Sequence, residues 1–465
     1  MEYLIGQAMI KSDRLGELTG GYNSAMYKWG PDHPRMDRYP LARLVIDEKA
    51  GALAPGTGLY VASPARAGRR YYAVVSYRGG VPNTVDFGAG SSLGKPVAET
   101  VGPGQPVRQG QGLWGPFFDY PGRRQVYVQW CAPPLAPRAN MYFNWSVLAP
   151  PDTKPGQKLP AEIYFHKPNF SYAKPRIKLI RRSIQLAPHD WPPSGWYGFN
   201  DAAGTLKSYR TGTVSNHTQK RIMAFLTWAE EKLPIDPQRI VLLGSDGAAM
   251  LALSYPDRFA YVLIDRFENE VLANDASARF SPVWGPRSPE IKDDRGRGEW
   301  SWAMLDELVK ASPDVDLPLF VCRGYSWAPF VKRFARGYGR FYEAMLAARK
   351  PLVADWTWAS GKLVRPDKYT GRWRGLDLTS TTPVPAFSNC SADNNKEGDG
   401  QHNLLVTWDG VKDEPDGFTI ELTSARDATF DMMPRRLQNF KVSPGQKLRW
   451  EARAEPTRTD KQPKG

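Results

Sequence analysis

The sequence predicts an α/β chain: a mostly parallel sheet with helices on both faces, flanked by N-terminal and C-terminal β-sandwich-like domains. Three observations predict it. Between about residues 123 and 379, apolar runs of strand length alternate with segments of helical period, the pattern of βα units. Within that region, residues 239–249 read Arg-Ile-Val-Leu-Leu-Gly-Ser-Asp-Gly-Ala-Ala, so an apolar run enters a glycine turn and leaves it in an alanine-rich helix. The 465 residues also include 41 prolines and 42 glycines, the turn chemistry of β-rich flanks joined to an α/β unit.

Residues 1–110 form the first β-rich unit. Thr57–Ala62 alternates apolar and small residues, Arg70–Tyr77 follows as a second strand, and Gly79-Gly80 with Pro82-Asn83 supplies the turn. Residues 111–122 continue a Gly/Pro-rich stretch and read as a linker. Gln125–Cys131, Met141–Leu148 and Ala161–His166 open the central unit as strands. Lys220–Leu233 places Ile222, Phe225, Leu226, Ala229 and Leu233 on one helix face, with Ser215 or Asn216 as its N-cap. Pro234 and Pro237 stop that helix, the strand Ile240–Leu243 begins at once, Leu317–Cys322 is a further strand, and residues 328–348 are helical. From 380 to 455 the strands Asn403–Trp408, Phe418–Thr423 and Leu448–Ala452 predict a small sandwich, and 456–465 a disordered tail.

The net charge of +14 and the pI near 9.5 favour anionic partners such as an acidic polysaccharide or an envelope surface. The basic residues are spread along the chain, which fits general solubility better. Lys174, Arg176, Lys178, Arg181 and Arg182 cluster, and Lys332, Arg336 and Arg340 share one helix face. No nucleic-acid-binding motif is present, so no nucleic acid is expected. Cys131, Cys322 and Cys390 are far apart and odd in number, giving neither a zinc spacing nor a disulfide framework. No metal or cofactor is expected. No apolar run approaches the ~20 residues of a transmembrane helix. The N-terminus lacks a signal peptide, which places the chain in the cytoplasm, or outside the cell if it begins inside a longer protein.

The run Ile235-Asp236-Pro237-Gln238-Arg239-Ile240, the glycine turn, and Tyr255-Pro256-Asp257-Arg258-Phe259-Ala260 resemble the α/β hydrolases. They are closest to the polyhydroxybutyrate-depolymerase, feruloyl-esterase and acetyl-xylan-esterase type, in which D-P-x-R introduces the nucleophile strand and Y-P-D-x-F-A closes the following helix. The resemblance covers residues 123–375. Tyr71-Tyr72-Ala73-Val74 with Gly80 resembles the second half of a fibronectin type III domain.

The resemblance implies a G-x-S-x-G elbow, and here that motif is broken. Asp246 holds the nucleophile position and Ala248 the closing glycine, while Ser245 is the only neighbouring hydroxyl. Asp246 reads as a helix cap or as a carboxylate nucleophile, with the cap preferred. The loop after Leu317–Cys322, Arg323-Gly324-Tyr325-Ser326-Trp327, lacks the catalytic acid, and Lys362 stands where the histidine would be. A lysine at its ordinary pKa is protonated at neutral pH and cannot serve as the base. His166 and Lys167 match the histidine and glycine before the oxyanion-hole loop, with the histidine read as structural. Trp191, Trp196, Trp327 and Trp358 are candidate cleft aromatics, since strand-end loops build the cleft of such sheets.

The sequence therefore predicts a non-catalytic relative that binds a polymer, a polysaccharide first, or a protein partner through the remnant cleft. The alternative is a serine- or Asp-nucleophile hydrolase of carbohydrate esters or polyesters with a rebuilt site that recruits His402 or another histidine. A weaker third reading is a pure polyanion binder.

Overall fold

The computed structural model describes residues 9–11, 45–53, 58–60, 64, 66–85, 88–102, 104–109, 124–138, 141–166, 172, 178–190, 193–265, 276–323, 339–356, 375–396, 400–443 and 445–453. One large sheet organises these residues. Its strands in chain order are β1 (Val107–Arg108), β2 (Arg124–Cys131), β3 (Met141–Leu148), β4 (Leu159–Phe165), β5 (Ile184–Pro188), β6 (Ile235–Gly244), β7 (Tyr261–Asp265), β8 (Leu319–Arg323), β9 (Leu352–Asp355) and β10 (Gln401–His402). Across the sheet they lie in the order β10-β9-β8-β7-β6-β4-β5-β3-β2-β1. Every pairing from β5 to β9 is parallel. The pairings β1–β2, β2–β3, β3–β5 and β9–β10 are antiparallel. This mostly parallel sheet, with a strand–glycine turn–helix at its centre, is the α/β-hydrolase fold.

The parallel strands are apolar throughout because both of their faces are covered. Ile240, Leu242, Val262, Ile264, Phe320, Cys322, Leu352 and Ala354 point into one core. Their alternate neighbours Val241, Leu243, Tyr261, Leu263, Leu319, Val321 and Val353 point into the other, as the two-residue period of a strand requires. The first core receives α1 (His217–Lys232), α2 (Asp246–Ser254), α3 (Ala276–Trp284), α4 (Leu305–Lys310) and α5 (Gly339–Ala347). α1 begins where the sequence places it, with the Asn216 side chain accepting from the Gln219 N–H at 3.2 Å.

The second core lies on the other face of the sheet. Among the described residues it is closed by loops and a hairpin: Tyr172, Leu179, Ile180, Leu376, Leu378, Leu404 and Trp408. Residues 178–180 are pinned there by Glu162, a fully buried carboxylate on β4 that accepts from the backbone N–H groups of Leu179 (3.1 Å) and Ile180 (2.6 Å) and from Ser183 Oγ (2.6 Å). Lys178 lies 3.8 Å from the same carboxylate, so this basic cluster is partly spent on structure.

The C-terminal stretch, expected as a separate sandwich, is stitched onto this body. β10 extends the main sheet at β9. The Asn403 amide donates to Leu352 O on β9 at 3.0 Å, and the buried Arg436 guanidinium donates to Ala260 O and Phe259 O beside β7. β11 (Val406–Glu414) and β12 (Gly417–Ser424) form a hairpin, and β13 (Asp431–Arg435) pairs with Val384–Ser388. The expected strand Leu448–Ala452 does not form: among the described residues these are not paired, and Trp450 is 84% exposed.

The N-terminal stretch contributes four two-stranded antiparallel pairs: Met9–Lys11 with Gly58–Tyr60, Val45–Asp47 with Gly51–Ala52, Gly68–Arg70 with Val97–Glu99, and Tyr77–Arg78 with Val81–Pro82. The expected strand Arg70–Tyr77 is interrupted, meeting Ser92 only at Ala73. Its boundary with the central unit also moves. Val107–Arg108 is the edge strand of the main sheet, and the Gln109 side chain bonds both the N–H and C=O of Val45, each at 3.0 Å. Residues 111–122 and 456–465 lie outside the described residues.

Candidate functional site

β4 and β6 are neighbours whose chains leave to opposite faces: α2 packs in the first core, while Tyr172 and Leu179–Ile180 pack in the second. Such a switch point is where α/β sheets open ligand crevices at the strands' carboxyl ends. The elbow stands there. Gly244 has φ +118°, and a Cβ on it would lie 2.1 Å from Phe165 O on β4, so no other residue fits the turn.

The elbow retains the backbone path but not the presentation of a nucleophile. In a working elbow the nucleophile occupies a strained turn that lifts its side chain free. Here Ser245 is in extended conformation (φ −95°, ψ −171°) and is 3% exposed. Its N–H donates to Phe165 O and its Oγ donates to His166 O, each at 3.2 Å. Ser245 is also the N-cap residue of α2, through its backbone carbonyl alone, which accepts from the Ala248 N–H at 2.9 Å. Asp246 is therefore not the cap that the sequence suggested: it is the first helical residue, buried, with its charge in the first turn where the helix dipole favours an anion.

Trp196 closes over this helix start. Its indole lies 4.8 Å from the ring of Phe165 and 4.8 Å from that of His166, and a Cβ on Gly247 would sit 2.4 Å from Trp196 Cγ. Trp196 is 6% exposed, so it is a plug beneath the elbow rather than a cleft-lining aromatic. The cause is Asp190, whose carboxylate accepts from the Ser194 N–H (3.0 Å), the Ser194 hydroxyl and the Trp196 N–H (3.2 Å). Those bonds hold Ser194 and Trp196 against Asp190, with Trp196 at φ +59°. Trp191, Lys167, Trp327, Trp358 and Lys362 lie outside the described residues.

The described histidines are occupied or remote. His166 Nε2 accepts from the Asp190 N–H at 3.1 Å, which makes it a positioned structural ring. His189 is buried beside it, its ring 5.5 Å away, and desolvation, then the neighbouring His166 and Arg221, hold its pKa well below the usual value. His217 Nδ1 meets Pro134 O at 3.0 Å. His402 has the acid partner that a catalytic histidine needs: its Nδ1 is 3.3 Å from Asp393 Oδ2, and Asp393 Oδ1 accepts from the Asn403 N–H. The chain order, elbow then Asp393 then His402, is also that of a triad on this fold. The sheet register removes it from the elbow. Gly244, Ile264, Cys322, Ala354 and His402 form one row from β6 to β10. Four strand spacings of about 4.8 Å separate the ends of that row by roughly 19 Å. His402 instead packs between Trp356 (5.1 Å) and Tyr342 (5.9 Å). The Asp393–His402 pair had no signal in the sequence, since only the pairing of β10 with β9 places it.

No group of three or more His, Cys, Asp or Glu suited to a metal ion is present among the described residues. All three cysteines are free and buried. No helix among the described residues is long and apolar enough to cross a membrane.

No protein-family model matches the chain, and no curated protein matches it. Among solved structures it is similar to an S-formylglutathione hydrolase from Agrobacterium tumefaciens, at 15% identity and TM-score 0.38 over 51% of this chain and 87% of that one. Esterase B from Lactobacillus rhamnosis is similar at 14% identity and TM-score 0.32, over 51% of this chain and 75% of that one. An acylaminoacyl peptidase from Pyrococcus horikoshii is similar at 12% identity and TM-score 0.32, over 57% of this chain and less than half, 45%, of that one. The fold itself is defined by this chain's own strand order and elbow.

Proposed function

We propose that this chain is a non-catalytic relative of the carbohydrate- and polyester-esterase type, in which the elbow holds the fold together and the protein binds a polymer, a polysaccharide in the first place. The observation that carries this reading is the state of Ser245. Its hydroxyl is buried and donated to a backbone carbonyl, and among the described residues no imidazole nitrogen takes its proton, which is not the state of an activated acyl-transfer nucleophile. Trp196 packed on Gly247 supports the same reading, because a buried indole holds the start of α2 against Phe165 and His166.

The test is direct. Purified protein is incubated with p-nitrophenyl acetate and with a fluorophosphonate probe. Turnover equal to that of Ser245→Ala, and no probe adduct, is the expected result. A stoichiometric adduct on Ser245 would overturn the non-catalytic reading.

A further inference from the structure

We infer that a neutral sugar chain binds in the cleft between residues 375–383 and the hairpin β11–β12, on the face of the sheet opposite the helices. The cleft encloses about 660 Å³ and is lined by Leu376, Asp377, Thr382, Trp408, Asp409 and Val411. That volume lies in the ordinary range of small-molecule sites, about 300–1,000 Å³. The proposal rests on the polysaccharide-binding reading above and gives it a place, away from the plugged elbow.

The lining chemistry selects the ligand. Trp408 is half-buried and seated against the Phe387 ring at 5.9 Å, a fixed aromatic wall of the kind that packs on the apolar face of a pyranose. Asp377 and Asp409 supply carboxylate acceptors for ring hydroxyls. Asp377 already receives the Arg239 guanidinium at 2.5 Å, so its charge is compensated while it keeps acceptor capacity. On a chain of +14, a cleft whose charged lining residues are both carboxylates is the wrong sign for an acidic polymer. The compensation by Arg239 makes it a poor trap for an organic cation.

The walls are built to stay open. The ladder of β11 and β12 shifts register between Asp409 and Lys412, and Gly410 stands at φ +58° in that bulge. Bulges bend a strand and re-aim its side chains, here Asp409 and Val411 along the cleft. The facing wall is braced by Thr382, whose Oγ1 accepts from the Thr379 N–H at 2.8 Å and lies 2.8 Å from the Thr379 hydroxyl.

The experiment is calorimetric titration of the full chain with cellohexaose, xylohexaose, polygalacturonate and choline, repeated on Trp408→Phe and Asp409→Asn. We expect one neutral hexaose to bind with little salt dependence, and each variant to weaken it about tenfold or more, with the thermal midpoint of Asp409→Asn unchanged. Equal binding by wild type and both variants overturns the cleft and leaves the polymer reading standing. Preference for polygalacturonate or choline overturns the assigned ligand class. Absence of binding to every glycan overturns both readings.

Discussion

The Ser245 hydroxyl donates to the backbone carbonyl of His166 at 3.2 Å, while the His166 ring accepts from the Asp190 N–H at 3.1 Å. Serine and histidine are thus adjacent at the switch point but joined through the wrong atoms for catalysis. The serine is tied to main chain, and the imidazole nitrogen that a base would use accepts from the Asp190 backbone instead. Each bond stabilises the junction of β4, β6 and α2, so the elbow has a structural role that does not depend on chemistry.

That role predicts an asymmetry between neighbouring residues. Gly244→Ala must relieve a 2.1 Å approach to Phe165 O and adopt φ +118°, so we expect a loss of about 3 kcal/mol or more and little soluble protein. Ser245→Ala removes one hydrogen bond and should cost about 1 kcal/mol. Urea unfolding of both variants checks this. Equal, small losses would show that the turn is not the constraint described.

Trp196 and Gly247 should be coupled. Gly247→Ala drives a methyl into the indole, at 2.4 Å from Cγ, and into Phe165, at 2.8 Å from Cδ1. Trp196→Ala alone empties a buried aromatic site, at a cost of about 3–5 kcal/mol. In the Trp196→Ala background the added methyl meets one obstacle fewer, so Gly247→Ala should cost less there by about 1 kcal/mol or more. A double-mutant cycle on folding stability measures the coupling, and strict additivity would contradict the contact.

How much of this was legible in the sequence follows from range. α1 and its Asn216 cap, the elbow turn, and the strands Ile240–Leu243 and Leu317–Cys322 are readable, because apolar period and cap chemistry act within a few residues. The second core is not. It is closed by Leu376, Leu378 and Trp408, side chains from turn-rich stretches that carry no helical period. His402 was assigned to a separate domain because a two-residue strand has no signature, and only β9 reveals it as a sheet edge. Trp196 looked like a loop aromatic because its burial depends on the Asp190 carboxylate accepting from its own loop.

The cysteines give an independent check of the packing. Cys131 is buried and its thiol is pushed up to about 12 by desolvation, and burial likewise raises Cys322, with the nearby Asp246 charge adding to it. A thiol so protonated and enclosed is a poor nucleophile. Native protein should react with a disulfide reagent far more slowly than a free thiol, and three thiols should appear at once in denaturant. Prompt native labelling of Cys322 would mean that the row between the elbow and His402 is open to solvent.

The buried histidines set a pH dependence whose sign can be worked out. Desolvation first, then His166 and Arg221, hold His189 well below its ordinary value of 6.5, and desolvation first, then Arg221 and Lys220, lower His217 against the opposing Pro134 carbonyl and Asp294. Below 6.5 the unfolded chain takes up protons that the folded one refuses, so stability is full above 6.5 and is lost as the pH falls. Asp190 acts in the opposite sense: burial raises it above 3.8, outweighing its bonds from Ser194 and Trp196 and the Arg221 charge, so its contribution declines as the pH rises through that range. His189→Phe isolates one of these groups, since any change in packing is independent of pH. Between pH 7.5 and 5 the wild type should lose more stability than this variant in urea unfolding, by at most about 2 kcal/mol. Parallel pH profiles would mean that His189 is protonated in the folded protein, and that the buried cluster of His166, His189 and Arg221 holds an additional charge.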